Sequence, residues 1–131
     1  MHERRTNRSE NPHESLHLFL QATLQRHDLR ALCLANEDGL LIAGVAAPRA
    51  APLDLDWISA LGCVCAIRGR RGPSLGALVE RVTGGHHLAS TEIVLRGERL
   101  YVASVGGPLP PGRTLAAGIE RILASSLPAA A

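Results

Sequence analysis

Any chemistry in this chain has to come from its six histidines, three cysteines and twelve carboxylates, and their spacing joins none of them into a reaction centre. His13 and His17 stand one helical turn apart and would face the same way. No third ligand lies within reach in sequence, so the pair reads as solvated surface rather than a metal clamp. Cys63 and Cys65 are two apart in a helical segment, so they point in different directions and make no zinc knuckle. His86 and His87 follow Gly84-Gly85 on extended chain, where neighbours alternate faces and at most one can serve a site. Ser74, Ser90 and Ser104 lack the Gly-x-Ser-x-Gly elbow of a nucleophilic serine. Cys33 in a strand and the two helical cysteines read as buried structural thiols. A Cys–His pair assembled only in three dimensions would leave no mark in sequence spacing, so a small thiol enzyme stays open as the alternative reading. Glu37 and Asp38 belong to a turn, and Asp54 and Asp56 to a helix start. No catalytic residue, metal or cofactor is assigned.

One segment invites a phosphate-binding reading, because Gly69, Gly72 and Gly76 accompany Arg68, Arg70 and Arg71. The Walker loop needs Gly-Lys followed by Ser or Thr, and the chain contains no lysine. The segment therefore reads as a solvated basic loop and a candidate contact for an acidic partner. Nucleotide hydrolysis by the chain itself is not expected.

Composition narrows the classes further. A net charge of +2 on 131 residues is too small for a nucleic-acid footprint or for attraction to anionic membranes. Phe19, Trp57 and Tyr101 are the whole aromatic supply, too few for a base-stacking platform. The first ten residues have no apolar core of a signal peptide, and no apolar run approaches the ~20 residues of a membrane span. A cytoplasmic protein with reduced thiols and no membrane insertion is expected. Its length fits one domain at 11–126, with mobile tails at 1–10 and 127–131.

The elements that must position these residues follow from caps and periodicity. Asn11-Pro12-His13-Glu14 supplies an N-cap, a first-position proline and a capping-box carboxylate. Leu16, Phe19, Leu20 and Leu24 then recur at helical spacing, which predicts a helix over 12–27. Strands over 30–35 and 40–46 flank the turn Asn36-Glu37-Asp38-Gly39, a β-hairpin. Asp54 caps a second helix to about Ile67, and Leu53 and Ile58 form its hydrophobic staple. Leu75 to Val82 fits a short further helix ended by Gly84-Gly85. A second hairpin pairs 91–95 with 100–105, with Leu88 and Ala89 either extending it or forming a separate strand. Leu115, Ile119, Ile122 and Leu123 mark a last helix over 114–126. The order α-ββ-α-β(β)β-α implies an α+β fold: a single antiparallel sheet of four or five strands with helices on both faces.

The segment Trp57 to Ile67 carries the most information, because Ser59 is its only polar residue. Trp57, Leu61, Val64 and Cys65 make a bulky side; Ser59, Gly62, Cys63 and Ala66 make a small one. A helix apolar all round must be buried all round. One sheet leaves little of the chain to cover its far side. Either the 75–82 segment or the tail covers it, or a second copy does. With the bulky side in the core, Ser59, Gly62, Cys63 and Ala66 become the expected homodimer interface.

The stretches Leu32-Cys33-Leu34-Ala35-Asn36-Glu37-Asp38-Gly39-Leu40-Leu41-Ile42-Ala43 and Gly97-Glu98-Arg99-Leu100-Tyr101-Val102-Ala103-Ser104-Val105 resemble the Roadblock/LC7 family. The resemblance runs from about Leu16 to Leu123 and fits least well over 68–85. It implies a profilin-like fold whose middle helix forms much of a homodimer interface. It also implies a non-enzymatic scaffold or regulator of a small Ras-like GTPase, GTPase-activating in some bacterial relatives. Such activators need not insert an arginine finger, so Arg70 and Arg71 are given no such role.

Overall fold

A computed structural model describes residues 12–48, 52–68 and 73–126. The described residues hold the four helices that caps and periodicity predict: α1 (Pro12–Arg26), α2 (Leu55–Arg68), α3 (Pro73–Thr83) and α4 (Gly112–Ser126). The four strands are β1 (Ala31–Ala35), β2 (Leu41–Ala46), β3 (Leu88–Leu95) and β4 (Glu98–Val105). They form one antiparallel sheet in the order β2-β1-β4-β3. Both hairpins thus form as the turn chemistry requires, and β1 then pairs with β4 to join them. Leu88 and Ala89 extend β3, pairing with Val105 and Ser104. Among the described residues there is no fifth strand. The expected tails, the cap at Asn11 and the loop residues Arg70 and Arg71 lie outside the described residues.

Local chemistry accounts for the joints. The Asn36 side-chain oxygen accepts hydrogen bonds from the backbone N–H groups of Asp38 (2.9 Å) and Leu40 (3.0 Å), closing the first hairpin's turn. The second hairpin turns on Arg96 and Gly97, both at positive φ (52° and 82°), the conformation that matches the twist of paired strands. Helix α1 ends with Leu29 N–H donating to the Leu24 carbonyl and Asp28 N–H to that of Gln25, with Asp28 in the left-handed region. That is the Schellman arrangement, built here without glycine.

The two faces of the sheet carry different volumes. Leu32, Leu34, Val102 and Ile93 meet Leu16, Leu20 and Leu24 of α1 and Leu115 and Ile119 of α4 in the larger core. The opposite face carries Ala31, Cys33 and Ala103, and it packs on Ile58, Leu61 and Cys65 of α2. Every residue of β1 is buried, because helices cover it from both sides. Val79 of α3 joins this second core, with Leu75, Leu78 and Val82 beside it. So α3 covers one flank of α2, as one of the two sequence expectations had it.

Candidate functional site

Helix α2 is positioned at its start by Asp54, whose carboxylate accepts a hydrogen bond from the Trp57 N–H at 3.2 Å. The Asp54 carbonyl takes the first helical bond from Ile58 N–H at 3.0 Å. Farther along, the helix lies almost on the sheet. A Cβ added at Gly62 would stand 2.5 Å from the Ala103 Cβ, so only glycine permits this approach. Gly62 is buried against β3 and β4, Ser59 and Cys63 are buried with it, and Ala66 is half-buried.

The helix is therefore rotated from the sequence expectation: Leu61 and Cys65 are buried as expected, but Ser59, Gly62 and Cys63 are buried too, while Trp57 and Val64 are not. Its small side faces inward and part of its bulky side faces out. Trp57, Val64 and Ile67 are exposed at 51, 38 and 59%, with half-buried Ala60 between them. Leu61 and Cys65 remain buried because α3 lies on their flank. The physical reason is volume. Only a residue without a side chain fits where the helix backbone comes closest to Ala103, while Ile58, Leu61 and Cys65 fill the core around that contact together with Ala31 and Cys33. The signal was present in β1, where small Ala31, Cys33 and Ala35 alternate with large Leu32 and Leu34. It shows which sheet face must receive the small side of a helix.

The outward stripe has an internal symmetry. About Gly62, Trp57 mirrors Ile67, Ala60 mirrors Val64, and Asp56 mirrors Arg68. Gly62 itself points at the sheet, so the centre of symmetry lies on the outward side. The spacing of Trp57, Ala60, Val64 and Ile67 alternates three and four, as in the seam of two packed helices. Beside the stripe, the first hairpin's turn is held against α2. The Cys63 thiol donates to the Glu37 carbonyl at 3.8 Å, and Gly39 comes against Ala60. That turn presents Leu40, 63% exposed, while β3 presents Val94 on the sheet face that α2 covers.

The remaining candidates do not converge. His13 and His17 are exposed on α1, and His86 and His87 are exposed after α3. Among the described residues, no three His, Cys, Asp or Glu side chains gather as a metal site would require. Two of the thiols bond to main chain: Cys33 donates to the Leu55 carbonyl at 3.8 Å and Cys63 to that of Glu37. Burial, with Asp56 adding to it, pushes the Cys33 thiol up to about 12. Burial and then Asp38 raise Cys63 as well. Both shifts disfavour the thiolate that a nucleophile requires. Arg68 is exposed at the end of α2, the only arginine of the basic loop within the described residues. No described helix is long and apolar enough to cross a membrane.

No protein-family model matches the chain, and neither does any curated protein. Solved structures do. One described as MglB with tetrameric arrangement superposes with a TM-score of 0.58 at 20% identity, covering 89% of this chain and 93% of the other. The gliding protein MglB from Thermus thermophilus gives 0.54 at 20% identity, covering 86% and 90%. The fold of this chain is that of the MglB structures.

Proposed function

We propose that the chain is a Roadblock/LC7-type, non-enzymatic scaffold or regulator of a small Ras-like GTPase, and that it works as a homodimer. The observation that carries this reading is the outward stripe of α2. Monomers seldom leave a Trp, a Val and an Ile exposed together on one helix, and such patches mark interaction surfaces. The stripe suits a second copy in particular. A two-fold axis opposite Gly62 sets Trp57 of one copy against Ile67 of the other, and Ala60 against Val64. It also sets the acidic start of one helix, at Asp56, against Arg68 at the basic end of its mate. An isologous interface needs this self-complementarity, in apolar surface and in charge.

The dimer surface proposed here is thus Trp57, Ala60, Val64 and Ile67. Ser59, Gly62, Cys63 and Ala66 act behind it by letting the helix sit close to the sheet. The MglB fold and the tetrameric arrangement described for one MglB chain support self-association of this kind. The GTPase partner follows from the Roadblock/LC7 resemblance, and Arg68, Arg70 and Arg71 are proposed as a contact for its acidic surface. The thiol-enzyme alternative finds no support in Cys33 and Cys63, which are buried, raised in pKa and bonded to carbonyls.

Two measurements test the reading. Sedimentation equilibrium of the wild type and of Val64→Glu should give a dimer and a monomer respectively; a monomeric wild type removes the dimer. Affinity capture from the source cell, with GDP- and GTP-loaded lysates compared, should retain a small GTPase in a nucleotide-dependent way. Capture without any GTPase would leave the fold intact and end the regulatory assignment.

A further inference from the structure

We draw no further inference here: the strongest candidate, the uncharged outer edge of β2 from Leu41 to Ala46 with Ile42 exposed on it and Leu40 exposed beside it, carries nothing because nothing in the structure shows what covers it.

Discussion

Gly62 and Ser59 sit on the same inward side of α2 and differ in what they contribute. At Gly62 the backbone approaches Ala103 so closely that one added methyl group must displace the helix. Gly62→Ala should therefore destabilise the fold by about 1–3 kcal/mol, the usual cost of overpacking, even though alanine favours helix. Urea denaturation checks this; an unchanged or higher midpoint would mean that the helix has room to move. The Ser59 hydroxyl is buried and has no hydrogen-bond partner among the described residues. Ser59→Ala removes a polar group that gains nothing from burial, so stability should be unchanged or rise by about 1 kcal/mol. Cys33 adds a pH signature. Its thiol is raised in the folded state, so above about 9 the unfolded chain ionises while the folded chain stays protonated until about 12. Stability from this group is complete below pH 9 and falls through that window, by at most about 1.4 kcal/mol per pH unit. Cys33→Ala should flatten the alkaline limb of the stability curve relative to wild type, whatever it costs at neutral pH.

At the scale of the element, α2 has few of the usual reasons to be a surface helix, and its start depends on one side chain. Asp54 satisfies the Trp57 N–H, and its carboxylate lies at the positive end of the helix dipole. Asp54→Ala should cost about 0.5–2 kcal/mol in thermal or chemical unfolding. The dimer should weaken with it, since the first turn carries Trp57. Asp54→Asn, which keeps the capping oxygen, should restore most of both. Loss of stability with no effect on self-association would place the interface away from the first turn.

The whole molecule brings in charge across the proposed two-fold axis. Asp56→Arg would set like charges opposite one another at both ends of the seam, and Arg68→Asp would do the same with the sign reversed. Each single change should weaken the dimer by several-fold to tenfold, roughly 1 kcal/mol per cycle for partly exposed pairs. The double variant should recover it. Because the pairs lie at the rim, the single-variant penalties should shrink at high salt. Sedimentation at low and high ionic strength measures all four states. Recovery in the double variant is the decisive outcome, since a general loss of folding would not be reversed by a second charge change. Additive losses would rule out the antiparallel pairing.

The amino-acid sequence by itself determined the elements and the class. Caps at Asp54, turn residues at Asn36 to Gly39 and at Arg96-Gly97, and apolar periodicity in α1 and α4 are local signals. They act within a few residues, so the α+β order was legible along the chain. The strand at Leu88 and Ala89 was less legible because small and polar residues give weak periodicity there. It is paired only because Ala31 and Val105 place β4 beside it. The orientation of α2 was a tertiary matter. Its sequence is apolar on every side, so periodicity could not say which side meets the sheet. That depended on the volumes offered by two strands distant in sequence. Ala103 leaves a shallow surface that accepts Gly62, and the close approach turns Trp57, Val64 and Ile67 outward. The chain spelled out both sets of small residues, and only folding brought them together.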